Sequence, residues 1–243
     1  MCDRKTRVIL EVNELQFKGM LQDFKIKMVA TVKHPIIDTW VTATWDEYLK
    51  SIEHPSCQKA KGYYHDSQYR IEMTPIGNQH SQDHFIINHA VYLYATLKGI
   101  PLTGKDNCSY RQTGFREFQP DLSCYVGDNA NAIPWGVGIV NLDQYPVPDL
   151  VIEVSHTSLS DDLGAKRLLY EDLQVAEYWV VDIQNTKVIA FAMEDGGSKR
   201  IAQSQILPGL QLEILTEALQ RSRNTNHTEV GSWLMQQFQQ QKK

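Results

Sequence analysis

The stretch VPDLVIEVSHTSLSDDLGAKRLLYEDLQVAEYWVVD, from Val147 to Asp182, contains the pattern that decides the fold. Its run Leu150–Ser155 is apolar and β-branched around a single acid, Glu153, which predicts a buried strand with a carboxylate in its middle. The residues that follow predict a helix from Ser160 to about Leu173 and a second strand from Tyr178 to Asp182. The stretch is therefore a strand–helix–strand unit in an α/β protein.

Glu153 is the residue in this unit that needs a physical explanation. Burying an unpaired charge costs several kcal/mol unless a cation, a metal ion or hydrogen-bond donors compensate. We therefore expect Glu153 to have a partner or to be held neutral. Lys166, on the predicted helix, is a candidate partner, and Asp121, at the head of an earlier predicted strand, is a second acid that could share a metal ion with Glu153.

These side chains suggest a metal site at the edge of a sheet. Asp121, Glu153 and a backbone carbonyl, that of Val154, form a set of hard oxygen ligands for Mg²⁺ or Mn²⁺. Such an ion activates water and offsets the charge that develops on a phosphodiester. Lys166 would then orient or deprotonate the water, or stabilise the phosphoryl charge. A structural ion pair between Glu153 and a lysine or arginine is the alternative.

The composition limits the class of protein. With 243 residues, 42% of them hydrophobic, the chain is long enough for one large domain with a proper core. The net charge of -5 argues against a general coating of nucleic acid but leaves room for a local basic groove. The four cysteines contain no C-x-x-C pair, so a zinc knuckle and a redox motif are not indicated. Without a signal peptide or a membrane-length apolar run, we expect a cytoplasmic protein.

Other elements can be predicted around the central unit. Thr44 and Glu47 form a capping box at the start of a short helix. A polar turn at His65–Gln68 lies between two strand-like runs and predicts a hairpin, and apolar spacing from His80 to Leu97 predicts a helix that Gly99 ends. Residues 1–40 stay unassigned, with 15–30 either a helix or a strand pair. Further strands are predicted at Cys108–Arg111, Leu122–Val126, Gly138–Leu142, Lys187–Ala192 and Arg200–Leu207, with helix from Glu217.

The motifs resemble those of a known family. The run from Pro148 through Asp162, Lys166 and Tyr170 to Asp182 closely resembles the signature of the Uma-two family of putative restriction endonucleases, within the PD-(D/E)XK nuclease superfamily. The upstream motifs occur in the same order, and the similarity covers roughly Thr44 to Leu215: Thr44-Trp45-Asp46-Glu47-Tyr48, Tyr69 to Pro75 with Gly77 and His80, and Gln119-Pro120-Asp121.

The resemblance implies a restriction-endonuclease-like core, a mixed sheet flanked by helices, over residues 41–215. An unassigned N-terminal extension (1–40) and a C-terminal helical tail (216–243) would flank it. It also implies a divalent ion at Asp121 and Glu153, a supporting role for His80, and a homodimer. The namesake motif has lysine where this chain has Ser155, and Lys166 on the next helix occupies the position to which the family moves that lysine.

The implied function is a Mg-dependent endonuclease that cleaves nucleic acid, with DNA as the expected substrate. The alternative is a catalytically degenerate protein that uses the same fold to bind nucleic acid or a partner. Several of these residues also have a less specific, structural interpretation. Asp149 is predicted to cap a turn, Asp162 and Lys166 could form a surface ion pair, and the aromatic pairs at Tyr63 and Tyr178 are interpreted as packing.

Overall fold

The computed structural model describes residues 34–73 and 77–240, so the prediction for residues 15–30 lies outside the described part of the chain. The α-helices are α1 (Trp45–Ile52), α2 (Asn78–Lys98), α3 (Leu159–Asp162), α4 (Ala165–Leu173), α5 (Leu212–Ser222) and α6 (His227–Gln240). The strands are β1 (Val41–Thr42), β2 (Ala60–His65), β3 (Gln68–Met73), β4 (Leu102–Asp106), β5 (Tyr110–Gln112), β6 (Arg116–Phe118), β7 (Leu122–Val126), β8 (Val140–Asn141), β9 (Leu150–Ser155), β10 (Glu177–Asp182), β11 (Lys187–Glu194) and β12 (Gly197–Ile201).

The strands form two mixed sheets of six strands each. The first has the order β1-β3-β2-β6-β5-β8 and the second has the order β12-β11-β10-β9-β7-β4. In the second sheet, β9 is parallel to β10 and antiparallel to β7. The predicted class, an α/β fold with mixed sheets flanked by helices, is confirmed, although the strands divide between two sheets.

Alternation along β9 determines which way its acid faces. Leu150, Ile152 and Val154 belong to the core cluster that the second sheet forms with α2, α5 and α6. Val151 points to the opposite face, into a second cluster with aromatic residues of the first sheet and α4. Because side chains alternate along a strand, Glu153 shares the face of Val151 and lies toward the first sheet.

The local start and stop signals behave as the sequence predicts. Thr44 caps α1, and both hydrogen bonds of the capping box with Glu47 form. The β2–β3 hairpin turns at Asp66 and Ser67, whose φ angles of 48° and 56° are those of a tight type I′ turn. Helix α2 ends at Gly99, whose φ of 66° is a left-handed conformation that glycine adopts without steric cost.

The predicted continuous helix from Ser160 to Leu173 is wrong. The chain forms two helices, α3 and α4, separated at Leu163 and Gly164. A Cβ atom at Gly164 would lie 2.7 Å from the carbonyl oxygen of Ser160. The backbone at the break therefore approaches Ser160 more closely than a residue larger than glycine allows. Lys166 consequently lies in the first turn of a new helix.

Several strand predictions also need correction. The strand predicted at Gly138–Leu142 is reduced to β8, and the last strand is β12 rather than Arg200–Leu207. Sequence patterns did not reveal β4 or β6. Both are short or polar and lack a regular alternation of apolar residues. Each is held in its sheet by hydrogen bonds to a neighbouring strand.

The remaining predictions concern the whole chain. None of the described helices has the length and apolar character needed to cross a bilayer. Of the cysteines within the described ranges, Cys57, Cys108 and Cys124 are free thiols.

The last two helices pack against α2 and each other, with Leu234 and Phe238 of α6 fully buried. The division at residues 40 and 215 stays a prediction.

Candidate active site

Asp121 and Glu153 meet where β9 extends beyond the end of β7. Leu122 is the first residue of β7 and pairs with Ile152, so Glu153 and Val154 continue past the ladder. Asp121 accepts the N–H of Val154 at Oδ2 over 2.7 Å, in place of a strand partner. Its own N–H lies 3.4 Å from Glu153 Oε2. The predicted pair of acids is therefore adjacent, and both residues are buried.

Glu153 has hydroxyl donors that favour its charged form, but its burial favours the neutral form and has the larger effect. Its Oε1 accepts the hydroxyls of Tyr63 and Tyr170 over 3.0 and 2.9 Å. Burial raises the pKa of this carboxyl to about 8, and the charge of Asp121 adds to the rise, against the opposing charge of Lys166. Glu153 consequently keeps its proton near neutral pH when no further cation is bound.

Asp121 has the opposite electrostatic environment. Lys61 forms a buried ion pair with Oδ1, and His80 Nε2 lies 3.4 Å from Oδ2. Burial alone would raise the pKa of Asp121, but the Lys61 charge and the contact with His80 hold it well below its usual range. Neighbouring acids whose pKa values are driven apart in this way are typical of catalytic sites.

Lys166 lies at the centre of a group of acids. Its Nζ is 3.0 Å from Glu72 Oε2, 2.9 Å from Asp162 Oδ1 and 3.9 Å from Glu153 Oε1. Burial would lower the pKa of Lys166, but these carboxylates raise it well above its ordinary value, so the ammonium stays charged. The pair with Asp162 is buried, and the surface ion pair considered from the sequence is wrong.

The position of Ser155 is connected to Lys166 through Asp162. Ser155 shares a face of β9 with Glu153, and its hydroxyl donates to Asp162 Oδ2. Asp162 in turn pairs with Lys166 through its other oxygen. The ammonium of Lys166 thus lies close to Glu153 although it comes from a helix rather than from β9.

One face of the β2–β3 hairpin covers the acids. Lys61 and Tyr63 are two residues apart on β2 and so share one face, from which Lys61 contacts Asp121 and Tyr63 contacts Glu153. Across the hairpin, Lys61 pairs in register with Glu72, and Tyr63 pairs with Arg70. Arg70 Nε lies 2.6 Å from Glu72 Oε1, so this face also orients the acid that holds Lys166.

Sequence reasoning missed several of these residues. The sequence patterns do not identify Lys61, Tyr63 and Tyr170 as contacts of the two acids, nor Glu72 as a contact of Lys166. The available signal was alternation: a lysine and a tyrosine two apart on β2, facing an arginine and a glutamate two apart on β3. Which sheet this face would cover could not be deduced from the hairpin alone.

Other predicted residues have structural roles. Asp149 accepts the Val126 N–H over 2.7 Å and the Asn129 amide over 2.8 Å, as expected for a residue that caps a turn. Tyr178 is fully buried and donates to the carbonyl of Asp162, which agrees with packing rather than base stacking.

The carboxylate oxygens of Asp121 and Glu153 are ligands of the kind that a hard divalent cation binds. Within residues 34–73 and 77–240, no group of three or more His, Cys, Asp or Glu side chains is arranged as a metal site. An ion would therefore depend on Asp121, Glu153 and backbone. The N–H of Val154 points toward Asp121, and in an extended strand the carbonyl of a residue points to the same side as its N–H. Two carboxylates, one carbonyl and several waters are a usual ligand set for Mg²⁺.

The fold is that of the restriction-endonuclease-like class of mixed α/β proteins. A solved structure, described as a putative nuclease belonging to DUF820 from Anabaena variabilis, is similar with a TM-score of 0.50 and 16% sequence identity. The match covers 79% of this chain and 98% of that one, and at this identity it supports the fold alone.

The family is shown by the sequence comparison. The model of the Uma2 family, described as putative restriction endonuclease, matches residues 45–240. The chain belongs to this family, which confirms the resemblance inferred from the motifs. A comparison with curated proteins found no match.

Proposed function

We propose that this protein is a metal-dependent endonuclease that hydrolyses phosphodiester bonds in DNA with Mg²⁺ or Mn²⁺. The observation that carries the proposal is the buried pair of Asp121 and Glu153, with the Lys166 ammonium 3.9 Å from Glu153. Membership in a family described as putative restriction endonuclease supports the same chemistry.

Each residue has a defined task in the proposed reaction. Asp121, Glu153 and the Val154 carbonyl would hold the ion, which when bound supplies a Lewis acid and a water of lowered pKa. Glu153 gives up its proton on metal binding, because carboxylate ligands must be ionised. His80 contacts Asp121 Oδ2 and fixes its orientation.

Lys166 supplies a fixed positive charge in the proposed site. Glu72 and Asp162 hold its ammonium on two sides, and its Nζ lies 4.2 Å from the centre of the Tyr63 ring. A charge positioned before the reaction stabilises developing negative charge without a further cost of reorganisation. We assign Lys166 the role of orienting the attacking water or stabilising the phosphoryl group.

Cleavage assays test the proposal. Supercoiled, linear and single-stranded DNA, together with RNA, are incubated with the full chain and Mg²⁺ or Mn²⁺. Wild type should cut DNA, and Glu153→Gln should not, because it removes a charged ligand with little change in shape. Glu177→Gln is the matched control, since Glu177 is a buried glutamate on the neighbouring strand β10, and it should still cut.

The rival function is a nuclease fold that only binds nucleic acid or a partner. It is favoured by one observation: the side-chain oxygens of Asp121 and Glu153 already accept hydrogen bonds or an ion pair from the protein. Wild type that retards nucleic acid on a gel but leaves every substrate intact would support this rival. Equal cleavage by wild type and Glu153→Gln would remove Glu153 from the site. The homodimer and the cytoplasmic location stay predictions, and sedimentation analysis tests the first.

A further inference from the structure

Lys61 is a charged residue of the site that the proposed reaction does not use. It lies on β2 in the first sheet, and its ammonium contacts Asp121 at the start of β7 in the second. Only 3% of the residue is exposed. A lysine buried to this extent needs a compensating acid, and Asp121 supplies it.

The contact occupies a specific atom of Asp121. Oδ2 already accepts the Val154 N–H over 2.7 Å and has His80 at 3.4 Å. Oδ1 is the oxygen that Lys61 contacts. A metal ion that used Asp121 as a ligand would therefore meet the Lys61 ammonium at the same oxygen, where two cations repel each other.

The two lysines of the site differ in how they are held. Lys166 contacts Glu72 and Asp162 in addition to Glu153, so it keeps two acidic partners if Glu153 binds an ion. Among the residues that the structure describes, Lys61 has its ion pair with Asp121 alone. Its flexible four-carbon stem allows the ammonium to move away when that partner is taken.

We propose that Lys61 is a displaceable counter-ion of Asp121, which stabilises the buried carboxylate without metal and must leave Oδ1 when a divalent cation binds. This inference rests on the proposed metal-dependent function. It makes Lys61 the residue that weakens metal affinity and so sets the metal concentration at which the site fills. The sequence around Lys61 and Lys166 does not indicate that one lysine would leave its acid while the other stays in place.

The test measures Mn²⁺ binding, with Mn²⁺ alone as the probe and no nucleic acid present. The free ion is followed by electron paramagnetic resonance as it is titrated into the full chain. Lys61→Met keeps the length of the side chain and removes its charge, so it should bind Mn²⁺ at least about tenfold more tightly than wild type, which corresponds to about 1.4 kcal/mol. Lys61→Arg keeps the charge and should not bind more tightly.

Two further variants locate the effect. Lys187→Met makes the same change of charge at an exposed position on β11 and should leave the affinity as in wild type. The double variant Lys61→Met with Asp121→Asn should lose the gain, because the gain arises at Asp121. Circular dichroism checks folding, and Lys61→Gln replaces Lys61→Met if the latter does not fold.

The outcomes separate this inference from the proposed function. Wild type that binds Mn²⁺ while neutral Lys61 variants bind equally or more weakly overturns the role of Lys61 and leaves the metal site in place. The same result with loss of cleavage identifies Lys61 as a residue acting on the substrate. Absence of binding in wild type and in the neutral variants overturns both proposals.

Discussion

Two buried glutamates on neighbouring strands have different surroundings. Glu153 on β9 and Glu177 on β10 are 2% and 0% exposed. Glu153 lies among ionisable groups, with Lys166 and Asp121 next to it. Within the described part of the chain, Glu177 accepts hydrogen bonds from neutral donors: the Trp179 indole, the Ser204 hydroxyl and the backbone N–H groups of Gln205 and Ile206.

The difference separates a structural acid from a candidate reactive one. Burial raises the pKa of both carboxyls, but at Glu177 the hydrogen bonds from Gln205, Ile206 and Ser204 counteract the rise. These bonds connect β10 to the segment between β12 and α5. Glu153 is instead influenced by charges that a ligand or a proton can change, which is the usual condition of an active site.

Removing the charge next to Glu153 should have the largest effect on stability. Lys166→Met leaves Glu72 and Asp162 without their shared cation in a buried site. Breaking a buried ion pair by removing one partner typically costs about 3–5 kcal/mol. We expect a loss of this size in the free energy of unfolding, measured by urea denaturation, together with loss of cleavage.

The control for this prediction is Lys187→Met, which removes an exposed lysine and should change stability by less than about 0.5 kcal/mol. If Lys166→Met were as stable as wild type, the acids around Lys166 would have to be neutral. The contrast with the uncharged surroundings of Glu177 would then disappear.

Local patterns explain which parts of the site could be predicted. The apolar run around Glu153 and the Pro-Asp before β7 are local, so both acids could be identified from the sequence. Lys166 was a candidate from its place on the predicted helix, but the helix break at Gly164, which sets the position of its side chain, follows from no spacing rule. Lys61 contacts Asp121 through the approach of two sheets, 60 residues apart in the chain, and such long-range pairing has no local signature.

The fold shows the same limit. Strands with a buried face, such as β7 and β9, were predicted close to their observed bounds, and so was the capped helix α1. Short polar strands such as β6 were missed, because their stability comes from partners elsewhere in the sheet.

The pH dependence of stability should distinguish the two glutamates next. The pKa of Glu153 is raised from 4.5 to about 8, so the folded state keeps a proton that the unfolded state releases. This contribution is fully present below pH 4.5 and is lost as the pH rises through about 8. Glu153→Gln cannot ionise, so its stability relative to wild type should increase by roughly 1 kcal/mol between pH 6 and pH 7.

Glu177→Gln supplies the contrast in the same denaturation series. Its four donors point at two carboxylate oxygens, and glutamine offers one acceptor and one donor in their place. We expect it to be less stable than wild type by about 1–3 kcal/mol at pH 6. Parallel pH curves for wild type and Glu153→Gln would show that Glu153 is ionised throughout, contrary to its raised pKa.

The smallest expected change in stability comes from removing one neutral donor of Glu153. Tyr170→Phe deletes a hydroxyl that donates to Oε1 over 2.9 Å, while Tyr63 still donates to the same oxygen. The loss should cost about 1 kcal/mol, as for a single hydrogen bond. Because groups that orient a metal ligand typically change affinity by about 10–100-fold, Mn²⁺ should bind at least about tenfold more weakly.

Ser204→Ala is the counterpart at Glu177, where it removes one donor to Oε2. It should also lower stability, since Ser204 contributes to the hydrogen bonds that hold the segment before α5, but its Mn²⁺ affinity should equal that of wild type. A donor next to Glu153 would then affect both stability and metal binding, and a donor next to Glu177 only stability. Equal Mn²⁺ affinity in both variants would mean that Glu153, like Glu177, has a purely structural role.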